Sequence, residues 1–235
     1  MKIKIAGLGI LLENRYEYVE RLAKDYVCDF DTPDIVVSAT DAEIKKEREG
    51  SLYNFDDGYL ESIVLYRNIA ERLPMHDAIV FHGAVIAYDG GAYAVTARSG
   101  VGKTTHLRLW QKEFGDSVHI LNGDKPILRI IDGRVYACGT PWRGKEGYGI
   151  NEMLPLCGIG FLERAAENSQ MPLKAHESVM RFMSQIYVPR AMAGASGALA
   201  LANRILGSVP LCELRVNMDA EAAHMAKKAF SSRLL

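Results

Sequence analysis

The chain has 235 residues, 49% of them hydrophobic, enough to bury a sizeable core and too many for a disordered segment. Lys and Arg number 28 against 29 Asp and Glu, a formal net charge of -1, so no general attraction to nucleic acid or to an anionic membrane is expected. The four cysteines, Cys28, Cys138, Cys157 and Cys212, form no C-x-x-C pair, which argues against a zinc knuckle or thioredoxin-like site and for reduced thiols in a cytoplasmic protein.

The length fits one α/β domain, or a core with a smaller appendage. The apolar run Gly7 to Leu12 is short and has no small-residue cleavage site before Glu13 and Arg15, so no signal peptide is expected. Ala191 to Ala202, rich in Ala, Gly and Ser, is shorter than the ~20 residues of a membrane span.

In chain order, Lys2 to Leu8 reads as a strand and Glu13 to Lys24 as a helix with Tyr16, Val19, Leu22 and Ala23 on one face. Asp34 to Ala39 reads as a strand, and Thr40 with Glu43 fits a capping box opening a charged helix, Asp41 to Glu49. Asp57 to Arg72 is helical in pattern and Pro74 ends it. Ala78 to Tyr88 and Ala92 to Thr96 are apolar and β-branched, joined by the turn Asp89-Gly90-Gly91. A Gly-rich loop and a helix from Lys103 to Phe114 follow. Val118 to Leu121, Pro126 to Ile131 and Arg134 to Cys138 read as strands, the last two joined by Asp132-Gly133, and Ile159 to Leu162 as a short one. His176 to Tyr187 reads as a helix, Leu211 to Val216 as a strand and Ala220 to Phe230 as a helix. Pro189 to Gly197 reads either as a mobile flap or as a helix of small, closely packed residues. The chain divides at Pro74 into a small N-terminal α/β segment, residues 1–75, and a nucleotide-binding core, residues 76–235.

The segment Ala97-Arg98-Ser99-Gly100-Val101-Gly102-Lys103-Thr104 lies between a strand and an amphipathic helix, the setting a phosphate-binding loop needs. Gly100 and Gly102 can take positive φ, so successive N–H groups turn toward an anion. The helix start adds unpaired N–H groups and the positive end of its dipole. Lys103 supplies a full charge for the outer phosphates, and Thr104 a hydroxyl for Mg²⁺. Ala97 stands where the first glycine of G-x-x-x-x-G-K-[ST] is expected, and fits if its φ is negative. Asp124 follows the strand Val118 to Leu121, where a carboxylate reaches Mg²⁺ or accepts a proton from an attacking hydroxyl.

The run from His82-Gly83-Ala84-Val85-Ile86 through Gly91-Ala92-Tyr93-Ala94-Val95-Thr96 to Ser99-Gly100-Val101-Gly102-Lys103-Thr104 resembles the HPr kinase/phosphorylase and phosphoenolpyruvate-carboxykinase-like superfamily. Residues 119–124, H-I-L-N-G-D, resemble its second block, and residues 139–146, G-T-P-W-R-G-K-E, a block of the small stand-alone HPr-kinase-like members. The resemblance covers residues 76–230 and implies a mixed-sheet phosphate-loop core that binds ATP and Mg²⁺. It implies a triphosphate cradle at Ser99, Gly100, Val101, Gly102, Lys103, Thr104 and Thr105, metal ligands Thr104 and Asp124, Asp124 as base, and His82 as its active-site neighbour. Arg143 and Lys145 are its candidate contacts to phosphate or acceptor. The acceptor is a hydroxyl on a small protein, a peptide or a small molecule, and a homo-oligomer is allowed. The second acid of the family's pair is Lys125 here, which weakens a claim for phosphorolysis and leaves a non-catalytic nucleotide-binding regulator as the alternative.

Other motifs carry less. His176-Glu177 has Met180 where a zincin needs its second His, and Gly7-Leu8-Gly9 has Leu12 where a dinucleotide fingerprint needs glycine. Met180, Met183, Phe182 and Ile186 read as core, and Trp142 as packing ahead of base stacking.

Overall fold

The computed structural model describes residues 1–98 and 100–231. The chain opens with a hairpin, β1 (Lys2–Ile5) against β2 (Leu8–Glu13), and β3 (Ile35–Ser38) adds parallel to β2. Alternation in β1 puts Ile3 and Ile5 inside. Three helices cover this sheet: α1 (Glu17–Ala23), α2 (Asp41–Glu49) and α3 (Asp57–Ala70). The capping box at Thr40 and Glu43 forms as the sequence predicts. The buried Glu61 carboxylate on α3 accepts from the backbone N–H groups of Arg15 and Tyr16 and so fixes the entry to α1.

The main sheet is mixed and curled. Its strands are β4 (Ala78–Val80), β5 (Ala84–Tyr88), β6 (Gly91–Thr96), β7 (Val118–Asn122), β8 (Ile127–Ile131), β9 (Arg134–Cys138), β10 (Met153–Arg164), β11 (Ser169–Pro172) and β12 (Leu211–Val216). The order is β4-β8-β9-β10-β6-β5-β7, with β12 and then β11 beside the later part of β10. The long β10 runs antiparallel to β9 over residues 153–155 and parallel to β12 over 159–164, while β6 lies parallel on its other side. One strand therefore serves two neighbours in turn, and the sheet bends around it.

Period-2 alternation divides the core between the two faces. Ala84 and Ile86 of β5, with Tyr93 and Val95 of β6, pack with α4 (Lys103–Phe114) and α7 (Glu221–Ser231). Val85, Ala87, Ala92 and Ala94 face the opposite way, onto α5 (Ala175–Met183) and α6 (Met192–Ser208). The apolar cluster of the N-terminal unit continues into Ala78, Val80, Ile127 and Cys138 of the main sheet.

Several elements differ from the sequence expectation. The strand expected over Lys2 to Leu8 is a hairpin turning at Ala6-Gly7, so Gly7 serves a turn, and the first helix starts at Glu17 instead of Glu13. The strand expected over Ala78 to Tyr88 is broken, because His82 N–H donates to the Gln185 carbonyl and Gly83 N–H to the Asp124 carbonyl instead of to a ladder. β10 is far longer than Ile159 to Leu162, and β11 was not expected. The helix expected over His176 to Tyr187 ends at Met183, and Ile186 bridges to Phe81. Of the two readings of Pro189 to Gly197, close packing describes it: α6 starts at Met192, with Gly194 against Pro189 and Gly197 against Pro74.

Candidate functional site

β6, β10 and β12 are mutually parallel, and β7, antiparallel to β5 as β6 is, points the same way. Their carboxyl ends share one edge, the usual place for a ligand in such sheets. Loop 97–102 leaves β6 there, and Asn122 to Lys125 leaves β7.

Both glycines of the loop lie in the left-handed region. Gly100 has φ +81° and Gly102 φ +122°, and Ala97 is not among the positive-φ residues. α4 begins at Lys103 with no side chain capping it, so its first N–H groups remain available to an anion. Arg164, at the end of β10, donates from Nε to the Val101 carbonyl (2.9 Å) and from Nη2 to the Gly100 carbonyl (2.6 Å). That brace pulls the loop's carbonyls to one side. Ser99 lies outside the described residues. Thr105, with Val101, Gly102, His106, Arg164 and Asn217, lines a hollow of about 310 Å³ on the α4 side.

Lys103 is half-buried, and its Nζ sits 3.3 Å from the Ala97 carbonyl. Burial lowers its pKa, nearby Asp124 opposes that, and Lys125 adds to the lowering. An ammonium pushed down in this way gains from any anion placed beside it. Asp124 has His82 Nε2 at 3.3 Å and Lys125 Nζ at 3.3 Å. Burial raises its pKa, but the hydrogen bond from His82 and the charge of Lys125 outweigh it, so the carboxylate lies below its ordinary range and is ionised at neutral pH. The structure thus brings His82, Asp124 and Lys103 to one place, with Lys125 as a fourth member.

A group of residues with no expected site role, Trp142 among them as the packing residue it was read to be, shapes this corner. The Asn122 side chain is fully buried; its Oδ1 accepts from the N–H of Asp124 (2.9 Å) and of Lys125 (2.7 Å), and its Nδ2 donates to the Thr140 carbonyl (3.1 Å). The Thr140 hydroxyl donates to the Lys125 carbonyl, as does the Tyr66 hydroxyl from α3. Trp142 stacks on Tyr66, with ring centroids 4.1 Å apart, and donates to the Ser62 carbonyl. It ties the N-terminal unit to the Asp124 turn.

Arg143 and Lys145 part company. Arg143 is held away by Asp25, 2.9 Å from its Nη2, and lies over the Tyr26 ring. Lys145 is exposed on the bend Gly144 to Gly147. That bend brings Glu146 Oε1 to 3.3 Å from the Thr104 hydroxyl. Thr104 and Asp124, the two expected metal ligands, have therefore different partners.

Among the described residues no group of three or more His, Cys, Asp or Glu could hold a metal. An all-protein cage is therefore not offered, but hydroxyl and carboxylate oxygens at Thr104 and Glu146 suit Mg²⁺, which binds through one or two protein oxygens and substrate phosphates. The open helix start and Lys103 likewise suit a polyphosphate. Among the described residues no helix is long and apolar enough to cross a membrane.

No family model matches the chain, and no curated protein matches it. Among solved structures it is similar to the Hpr(Ser) kinase/phosphatase from Coxiella burnetii, with 13% identity and a TM-score of 0.31 over 40% of this chain and 64% of that one. The match spans less than two thirds of that protein, and a likeness this slight carries no argument about activity.

Proposed function

We propose that the chain is an ATP- and Mg²⁺-dependent phosphotransferase that moves the γ-phosphoryl of ATP to a hydroxyl. The observation that carries this reading is the meeting of an uncapped helix start behind two positive-φ glycines, a half-buried Lys103, and an ionised Asp124 hydrogen-bonded by His82. Loop 97–104 orients the phosphates through its N–H groups, and Lys103 stabilises charge on the transferring group. Asp124 accepts the acceptor's proton as its oxygen bonds to phosphorus; the bond to the bridging oxygen breaks, and ADP leaves with that electron pair. Mg²⁺, when bound, neutralises the phosphate oxygens, with Thr104 among the residues that would hold it.

His82 positions the carboxylate. Its own backbone is held by Gln185, whose carbonyl accepts the His82 N–H at 2.6 Å. Gln185 also lines a hollow of about 180 Å³ with Thr96, Arg98, Glu163 and Arg181, where a small polar acceptor group fits beside the loop.

The Lys125–Asp124 ion pair favours a second reading, a nucleotide-binding regulator without turnover, because a neutralised carboxylate is a weaker base. Incubation with γ-labelled ATP, Mg²⁺ and candidate hydroxyl acceptors separates the two. The phosphotransferase reading expects label on an acceptor, lost by about 10²-fold or more in both Asp124→Asn and Lys103→Ala. Nucleotide binding without transfer, unchanged in Asp124→Asn, makes the chain a regulator.

A further inference from the structure

The exposed bend between β9 and β10 carries, beside Lys145, a carboxylate to which the phosphotransferase reading gives no part. Gly144 (φ +77°) and Gly147 (φ +68°) turn it, with Gly147 N–H donating to the Gly144 carbonyl. Its foot is fixed on both flanks: Gly123 N–H donates to the Tyr148 carbonyl, and Gly144 lies so close to Asp124 that an added Cβ would stand 2.9 Å from the Asp124 Cβ. The bend is thus built onto the Asp124 turn and reaches across to the start of α4. What it presents there is Glu146, whose Oε1 sits beside the Thr104 hydroxyl.

An exposed carboxylate next to the positive end of a helix gains little from one neutral hydroxyl. It gains far more from a cation placed between them, since a hydroxyl and a carboxylate are both hard oxygen ligands. Asp124, the other candidate, already has the Lys125 ammonium 3.3 Å from one carboxylate oxygen and His82 Nε2 3.3 Å from the other. A metal cation there would have to displace Lys125.

We propose that Glu146, delivered by the bend over residues 144–147, is the carboxylate that holds the nucleotide's divalent cation together with Thr104, leaving Asp124 and His82 to handle the acceptor's proton. This division of labour rests on the phosphotransferase reading and deepens it: the position taken by Lys125 loses nothing, because the metal's carboxylate arrives from a different part of the chain. The ligand is a divalent cation carried by a nucleoside triphosphate.

The test uses Mn²⁺ as the probe, with the full chain and β,γ-imido-ATP, and reads free Mn²⁺ by electron paramagnetic resonance. Nucleotide binding in EDTA is measured in parallel by calorimetry. Glu146→Gln is expected to weaken Mn²⁺ binding by about 10-fold or more, Asp124→Asn by less than about 3-fold, and both variants to bind metal-free nucleotide. Glu146 is exposed, and unchanged melting of Glu146→Gln confirms an intact fold. Unaltered Mn²⁺ affinity in Glu146→Gln, or a loss confined to Asp124→Asn, overturns the assignment while leaving the phosphotransferase reading intact. Failure of the wild-type chain to bind the nucleotide at all overturns both.

Discussion

The site has two sides built by different means. On the loop side, residues 97–104, the backbone does the work: positive φ at Gly100 and Gly102, an uncapped helix start, and one brace from Arg164. On the turn side, residues 122–125, side chains do it: Asn122 organises the Asp124 and Lys125 amides, Thr140 and Tyr66 hold the Lys125 carbonyl, and Trp142 fastens the corner to α3. A backbone nest can tolerate surface change, whereas a buried polar network fails as a unit when one member is lost. The N-terminal unit therefore bears on the turn side through Tyr66 and Ser62 of α3.

Three measurements sharpen that contrast. Asn122→Ala removes the acceptor of two amides in a buried place; urea unfolding should show a loss of about 4 kcal/mol, and Asp124 should lose its placement with it. A loss under about 1 kcal/mol would mean that water replaces the amide and the network is not cooperative.

His106 examines the loop side. It is buried on α4 behind the loop, accepts at Nε2 from Trp110 Nε1 (3.1 Å), and burial pushes its pKa down to about 4. Because the fold holds the neutral ring, its contribution is whole above the ordinary value near pH 6.5 and is lost as the pH falls toward about 4. In EDTA the wild type should lose roughly 3 kcal/mol more than His106→Gln over that window. Equal pH slopes in the two chains would contradict the assignment.

The smallest expected effect compares two glycines of similar φ, Gly100 at +81° and Gly144 at +77°. An added Cβ at Gly100 meets nothing within 4 Å, whereas at Gly144 it meets Asp124 at 2.9 Å. Gly100→Ala should cost about 1 kcal/mol of stability, and Gly144→Ala about 1–2 kcal/mol more, with a larger fall in phosphoryl transfer. Equal losses would dissolve the difference between the two sides.

The same contrast explains what the sequence disclosed. The loop was legible because its requirements are local: two glycines, a lysine and a helix, in order. The turn side was not, because Asn122 needs Thr140, and Thr104 meets Glu146 only after β8 and β9 have folded back. Among the strands, β2 escaped because it is buried on both faces and shows no alternation. β10 carries Pro155, Gly158 and Gly160, residue types that weaken a strand pattern; the two glycines make room for Phe230 of α7. β11, exposed along its length and ending in Pro172, offers no apolar pattern at all.

Calorimetric titration of the wild-type chain with ATP, ADP and AMP asks directly whether loop 97–104 is a nest for polyphosphate. ATP and ADP should bind at micromolar concentrations, AMP at least about 100-fold more weakly, and Lys103→Ala should erase most of that difference. Equal affinity for all three nucleotides, or none at millimolar ATP, would contradict the account.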